Sequence, residues 1–207
     1  MVILTLLVAI AAFWSACIFQ GQLTVARTAA EAQERPWVSA KISLSRPLSF
    51  TDKGASIGVA AILKNVGHSP ALNVRFVSKI ISFEHPDDLW KRQSEFCEFW
   101  KHRSPVSGLP GKTIFPGDER PDGEITGMNA EELATALKTT SLQGKISMWL
   151  IACVDYQFYF PSEHHQTRYA FPLGRPLPEG GWMGYVAPIG TPGGVVLIDS
   201  MMGETAN

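Results

Sequence analysis

Cysteine and histidine are the residue types in this 207-residue chain whose positions could support chemistry. Of the three cysteines, Cys17 lies in an apolar segment, whereas Cys97 and Cys153 lie in the part of the chain with globular character. Two cysteines without CxxC spacing do not make a structural zinc site, which usually has four Cys or His ligands. They either pair as a disulfide in an oxidising compartment or stay as two buried thiols. Of these alternatives, we expect the Cys97–Cys153 disulfide.

The adjacent residues His164 and His165 are the best, though weak, metal candidates, with Glu163 and Asp155 close in sequence. Neighbouring side chains on an extended segment point to opposite faces, so one strand does not easily turn both histidines towards one ion. A solvated loop is therefore the favoured interpretation, and we expect no metal and no cofactor. The alternative is a small-ligand or metal-binding protein, or an enzyme, built on the loop from Phe160 to Thr167.

Known catalytic and phosphate-binding motifs do not occur in the sequence. There is no Gly-x-Ser-x-Gly elbow, and the pairs Gly180-Gly181 and Gly193-Gly194 lack the spacing of a phosphate loop. A nucleophilic Cys97 or Cys153 would need a histidine base within hydrogen-bond reach. The formal net charge of −1 provides no basic field for a nucleic-acid backbone. We therefore predict a non-enzymatic protein that does not bind nucleic acid.

Four aromatic residues lie at roughly helical spacing in the segment from His85 to His102, which is predicted to be a helix packed on a sheet. They are Trp90, Phe96, Phe99 and Trp100. Their side chains either seal the sheet or, if exposed, form a patch that binds another protein.

The N-terminal segment predicts a transmembrane anchor at residues 1–20. Val2 to Phe19 contains no charged side chain, and 18 helical residues span about 27 Å, close to the hydrocarbon thickness of a thin bilayer. A buried core helix is disfavoured because the apolar residues surround the helix on every face. No charged side chain precedes the apolar run, unlike a typical signal peptide, so we expect the anchor to be retained.

The location of the domain is indicated by two opposing signals. Arg27 and Arg35 follow the anchor and favour a cytoplasmic domain, whereas a disulfide favours an oxidising compartment. We expect a protein of the bacterial inner membrane with a periplasmic domain. Its expected partners are the lipid bilayer, through residues 2–19, and other envelope proteins.

The remaining chain is predicted to contain a helical stalk or linker at 21–35, a β domain at 36–174 and a Gly/Pro-rich segment at 175–207. Alternating polarity predicts a strand from Trp37 to Ser45. Apolar runs predict strands from Ile57 to Leu63 and from Leu72 to Phe83, joined as a hairpin by the turn Asn65 to Pro70. Ser104 to Asp122 is predicted to be a long loop containing a strand fragment, Thr113 to Phe115.

The second half of the domain adds a short helix and the strongest strand. Asn129 is predicted to cap the helix, with Glu131 and Glu132 in its first turn. Lys145 to Tyr156 is apolar on both faces, as in a central strand, with Thr167 to Leu173 as its hairpin partner. Val195 to Ile198 is a further strand candidate. The predicted fold class is mainly β: an Ig-like β-sandwich with two helical insertions.

The stretch Lys64-Asn65-Val66-Gly67-His68-Ser69-Pro70-Ala71 resembles the strand–turn–strand of bacterial Ig-like β-sandwich modules. Together with Arg35-Pro36-Trp37-Val38 and Cys153-Val154-Asp155-Tyr156, it resembles uncharacterised bacterial single-pass, membrane-anchored proteins. The resemblance covers Arg35 to Leu173 and implies a fold and a location, but no active site. In such a scaffold we expect a left-handed turn conformation at Gly67, local backbone hydrogen bonds from Asn65 and Asn73, and buried Trp37 and Trp149. The predicted function is interaction or assembly at the envelope, without catalysis.

Overall fold

A computed structural model describes residues 2–82, 86–101, 111–139, 147–158, 164–176, 182–183, 196–197 and 205–206. Side chains are described throughout these ranges except at 2–11, 27–28, 30–32, 86–87 and 175–176 and in the three two-residue strands. His85, Glu163, the glycine pairs and most of the predicted segment 175–207 lie outside the described residues.

The chain begins with helix α1, Val2–Glu34, which covers both the predicted anchor and the predicted stalk. Every described side chain from Ala12 to Ala26 is exposed. Within the described residues, no helix has the length and apolar character needed to cross a membrane. The side chains of residues 2–11 are outside that description, so the predicted anchor remains a prediction.

Ten strands of the described residues form two antiparallel sheets, which confirms the mainly β class. The strands are β1 Val38–Thr51, β2 Gly54–Asn65, β3 Ala71–Ile81, β4 Lys112–Ile114, β5 Glu119–Asn129, β6 Met148–Gln157, β7 His164–Pro176, β8 Trp182–Met183, β9 Val196–Leu197 and β10 Thr205–Ala206. The first sheet has the order β1-β2-β5. The second has the order β10-β7-β6-β3-β4, with β8 and β9 also paired to β7. Helices α2, Pro86–Lys101, and α3, Ala130–Thr139, are the two predicted insertions.

One hydrophobic core lies between the sheets. Alternate side chains of β2, from Ala55 to Leu63, and alternate side chains of β6, from Met148 to Tyr156, belong to the same buried cluster. Leu133 and Ala136 of α3 join the same cluster. Strand β6 is buried on both faces because α2 covers its other side, where Leu89 packs against Ile151. This confirms the prediction of a central strand.

Side-chain hydrogen bonds join the sheets on both sides of the core. On one side, Thr126 of β5 donates to the Ser78 carbonyl oxygen at 2.7 Å, and Glu124 accepts from the Ser78 backbone amide and hydroxyl. On the other, Thr167 of β7 donates to the Val38 carbonyl at 2.7 Å, and the Tyr169 hydroxyl accepts from the Ala40 amide at 2.6 Å. Backbone groups at strand edges are thereby satisfied without a further strand.

The predicted β2–β3 hairpin is wrong, because these strands belong to different sheets. The turn from Asn65 to Pro70 instead carries the chain across from one sheet to the other. The predicted loop Ser104 to Asp122 is also too long, since β5 begins at Glu119. The hairpin of β6 with β7 is confirmed, with Cys153 opposite Arg168.

Two expectations about scaffold residues are wrong. Trp37 is 37% exposed instead of buried, and the Arg35 guanidinium lies 4.0 Å from its ring centroid. Gly67 is not among the positive-φ glycines, which are Gly54 and Gly117 in the described chain. A side chain at Gly67 is excluded for another reason: its Cβ would lie 2.4 Å from the Trp37 backbone nitrogen. Trp149 is half-buried and packs beneath α2.

Candidate functional site

The outer face of the second sheet, under helix α2, holds a disulfide and a group of hydrogen-bonded polar side chains. Cys97 of α2 and Cys153 of β6 form a disulfide with a Cα–Cα distance of 5.8 Å, which confirms the predicted pairing. Both cysteines are fully buried. The bond therefore fixes the C-terminal half of α2 to the central strand.

A polar network extends from this disulfide along β6 and β7. Gln166, which is buried, donates to the Cys97 carbonyl oxygen at 2.8 Å and to Asp155 at 3.2 Å. Arg168, the next residue on this face of β7, donates to Glu98 at 2.8 Å and to Ser94 at 3.1 Å. We call Asp155, His164, Gln166 and Arg168, with Glu98 of α2, the sub-helix network.

The structure brings His164 together with Asp155, whose side chain is almost fully buried. His164 Nδ1 lies 2.9 Å from Asp155 Oδ2, and His164 Nε2 lies 2.8 Å from Gln157 Nε2. A Gln157 side-chain amide that donates from Nε2 makes His164 Nε2 the accepting nitrogen, and Nδ1 is then the nitrogen that faces Asp155. A carboxylate that orients an imidazole is a recurring feature of bases and metal ligands. Here, however, the accepting nitrogen is already hydrogen-bonded to Gln157.

His165 points to the opposite face of β7, as the spacing predicted. Its ring lies 5.8 Å from that of Tyr156, a core residue. Burial raises the pKa of Tyr156, so its hydroxyl stays neutral at physiological pH. The predicted loop Phe160 to Thr167 is wrong in its second half, because residues 164–167 belong to β7. Within the described residues, no group of three or more His, Cys, Asp or Glu side chains could hold a metal ion.

The four predicted aromatic residues of α2 do not share one face. Phe96 packs against the sheet with Trp149. Trp100 is half-buried and makes edge-on ring contacts with Phe96 at 6.4 Å and with Phe99 at 5.7 Å.

Trp90 and Phe99 are the exposed members, at 43% and 52%. They are nine positions apart (99 − 90), about two and a half helical turns, so they lie on opposite flanks of α2. Phe96 and Trp100 are therefore half-buried, as in a helix that seals the sheet, whereas Trp90 and Phe99 are exposed but do not share one patch.

Sequence reasoning missed Gln166, Arg168 and Glu98. A signal for two of them exists: His164, Gln166 and Arg168 alternate along a strand whose other side chains face the core. That alternation of polar residues indicates a covered polar face. Their partners on α2 could not be found from the sequence, because they depend on how the helix is placed over the sheet.

Comparison with curated proteins and with solved structures finds no match. One family model matches residues 1–138, which cover α1, β1 to β5, α2 and nearly all of α3. The match ends before β6 and β7, which hold Cys153, Asp155 and His164. The chain belongs to this family, which is described as a domain of unknown function, DUF8453.

Proposed function

We propose that this protein is a membrane-anchored envelope protein whose β domain serves protein interaction or assembly. One observation carries the proposal: the large apolar side chains of α1 that the structure describes, from Phe13 to Val25, lie exposed. Phe13, Trp14, Ile18 and Phe19 are each more than half exposed. They continue the uncharged sequence that begins at Val2. Exposed apolar surface costs about 25 cal/mol per Å² in water, so a bilayer is the environment that suits this helix.

The Cys97–Cys153 disulfide supports a location for the domain on the oxidising side of the membrane. Disulfides persist in the bacterial periplasm and are rare in the cytosol. Arg27 and Arg35 oppose this orientation through the positive-inside tendency, but two arginines are a weak signal. The proposed location is therefore the inner membrane, with the domain in the periplasm.

The strand order supports assignment of the domain as an Ig-like β-sandwich. Strands β1-β2-β5 face β4-β3-β6-β7 across one core. In Ig-like domains, strands A, B and E likewise share one sheet, and strands C′, C, F and G the other. This architecture is common in cell-surface proteins, although a fold alone does not determine a function. The exposed Trp90 and Phe99 are the side chains of α2 best suited to contact another protein.

Membrane extraction of the full chain tests the anchor. Wild type is expected to stay in the membrane pellet after washing with alkaline carbonate. Phe13→Glu combined with Ile18→Glu should release the chain, because a charged residue in mid-bilayer costs several kcal/mol. Ala29→Glu combined with Gln33→Glu adds the same charge to the part of α1 that follows Val25 and should leave the chain in the pellet. Release of the wild type by carbonate would contradict the proposal.

The second candidate function is binding of a small ligand or a metal ion, or catalysis, at His164. The observation in its favour is the hydrogen bond from His164 to the buried Asp155. Titration of the full chain with Zn²⁺, followed by the His164 ring resonances in NMR spectra, distinguishes the two functions. Saturable shifts that are lost in His164→Gln would favour this candidate. Unchanged resonances would favour the interaction protein.

A further inference from the structure

Three exposed apolar side chains lie at the end of the domain that α1 enters. Trp37 is 37% exposed, Val66 is 59% exposed and Phe115 is 55% exposed. Trp37 precedes β1, Val66 follows β2, and Phe115 follows β4. We call these three residues the basal patch. Only Arg35 and Pro36 separate Trp37 from the last residue of α1, Glu34.

Asn65 holds the three segments of the basal patch together. Its side-chain oxygen accepts from the Trp37 amide at 3.3 Å, and its side-chain nitrogen donates to the Ile114 carbonyl at 2.9 Å. The backbone adds two links: the Val66 amide donates to the Trp37 carbonyl at 2.7 Å, and the Gly117 amide donates to the Asn65 carbonyl at 2.8 Å. The patch is thus built on a fixed part of the domain.

We propose that the basal patch rests on the headgroup interface of the lipid bilayer. This inference depends on the proposed function, because it takes α1 to be the membrane anchor. Tryptophan is enriched at membrane interfaces, where an amphipathic ring is partly in contact with water. Arg35 lies over the Trp37 ring, so a cation that can pair with lipid phosphate accompanies the apolar surface.

The length of α1 allows this contact. Its exposed apolar side chains continue to Leu23 and Val25, beyond residue 20, where the predicted anchor ends. From Val25 to Glu34 the helix rises about 14 Å. The headgroup layer is about 5–8 Å thick in each leaflet. The remaining distance is about 6–9 Å, and tilting of the helix together with projection of the large side chains of the basal patch covers it.

Fluorophore labelling of the full chain in phosphatidylglycerol-containing proteoliposomes tests this placement. An environment-sensitive dye is attached at Val66→Cys or Phe115→Cys, in a Cys17→Ser background that retains the Cys97–Cys153 disulfide. Ile125→Cys is the matched control, since Ile125 is 61% exposed on β5, away from the Asn65 segments. A fourth preparation carries the dye on the native Cys17, which is exposed on α1. Each dye is challenged with aqueous iodide and with lipids that carry a quencher at headgroup depth or in the acyl chains.

The expected result is quenching at positions 66 and 115 by the headgroup-depth lipid, with iodide quenching at least threefold weaker than at position 125. Cys17 should be quenched by the acyl-chain lipid. If Cys17 is in lipid while positions 66 and 115 behave like position 125, the basal-patch inference fails and the anchor stands. Protection of positions 66 and 115 from iodide and from both lipid quenchers would assign the patch to a protein contact and overturn the bilayer as its occupant. Iodide quenching at Cys17 would overturn the proposed anchor and this inference with it.

Discussion

Asn65 links several backbone segments through the hydrogen bonds of its side chain. It is fully buried, and its side-chain amide makes four hydrogen bonds, with Trp37, Gly67, Ser69 and Ile114. All four partners are backbone groups near the crossover between the sheets. The Lys-Asn-x-Gly sequence is therefore explained by two needs: an amide that satisfies these groups, and a residue without a side chain at Gly67.

Replacement of Asn65 by alanine should destabilise the domain by on the order of 3 kcal/mol, because it leaves buried backbone groups without partners. Denaturant unfolding followed by tryptophan fluorescence measures this loss. The matched control is Asn73→Gly, since Asn73 is exposed and has a φ of 53° that glycine adopts freely. The control should change stability by less than about 1 kcal/mol. Equal losses in the two variants would contradict the proposed role of Asn65.

The contributions of Glu124 and Glu132 to the stability of the domain should change with pH in opposite directions. Burial raises the pKa of Glu124 and outweighs its hydrogen bonds from Ser78. Burial also acts to raise the pKa of Glu132, but the hydrogen bonds from Lys79 and the Asn129 amide, with the Lys79 charge, lower it. A group whose pKa is raised by folding stabilises the folded protein at pH values below its pKa in the unfolded chain, and this stabilisation is lost as the pH rises through its pKa in the folded protein. A group whose pKa is lowered by folding stabilises the folded protein at pH values above its pKa in the unfolded chain, and this stabilisation is lost as the pH falls through its pKa in the folded protein.

At pH 7, Glu124→Gln should therefore raise the melting temperature, since glutamine keeps the accepting oxygen and removes a buried charge. Glu132→Gln should lower it, because the ion pair with Lys79 is lost. Near pH 3, where both carboxylates are protonated in the unfolded chain, both differences should shrink. Thermal unfolding at the two pH values checks the pair. A lower melting temperature for Glu124→Gln at pH 7 would count against the assigned cause of its pKa.

At the scale of elements, helix α2 is held to the sheet by one covalent bond and by the sub-helix network. The disulfide closes a sequence separation of 56 residues. Cys97→Ala combined with Cys153→Ala should cost up to about 4 kcal/mol in the chain-entropy description. In this double variant, hydrogen exchange should accelerate more at the α2 amides than at the β6 amides. Cys17→Ser, outside the domain, should change neither the stability nor the hydrogen exchange of α2. Unaltered protection of the α2 amides in the double variant would show that the sub-helix network holds α2 without the disulfide.

The short helix α3 depends on reciprocal capping. The Glu132 amide donates to Asn129 Oδ1 at 2.8 Å, and the Asn129 amide donates to Glu132 Oε2 at 3.0 Å. Asn129→Ala should lower stability by about 1 kcal/mol, as for other N-caps. Asn129→Asp retains an accepting side-chain oxygen and serves as the control. Equal stability of the two variants in denaturant unfolding would argue against the cap.

Elements whose own sequence has a clear apolar periodicity could be predicted, whereas elements that depend on contacts with residues far away in the sequence could not. Strand β6 and helix α2 follow from apolar periodicity, and the disulfide follows from having only two cysteines in the domain. Strand β5 was missed because Pro121, Gly123 and Gly127 dilute its pattern. The hairpin of β2 with β3 was wrongly predicted because the contacts that redirect the chain at Asn65 come from β1 and β4, far away in sequence.

At the scale of the whole molecule, helix α1 leads into a two-sheet domain in which one disulfide links α2 to β6. The candidate site follows the same pattern as the fold. The opposite orientation of His164 and His165 could be predicted from strand geometry. The pairing of His164 with Asp155 could not, because it depends on the register of β6 against β7, which places His164 beside Gln157 and Gln166 beside Asp155.

Thiol accessibility in intact bacterial cells tests the central claim, an anchored domain on the oxidising side of the membrane, most directly. Wild type, Cys97→Ser and Cys153→Ser are compared in a Cys17→Ser background, with a membrane-impermeant maleimide. We expect no labelling of the wild-type domain before reduction. We expect each single variant to be labelled after the domain is mildly denatured, while the inner membrane still keeps the maleimide out of the cytoplasm. Thiols that react without reductant, and only with a membrane-permeant reagent, would contradict it.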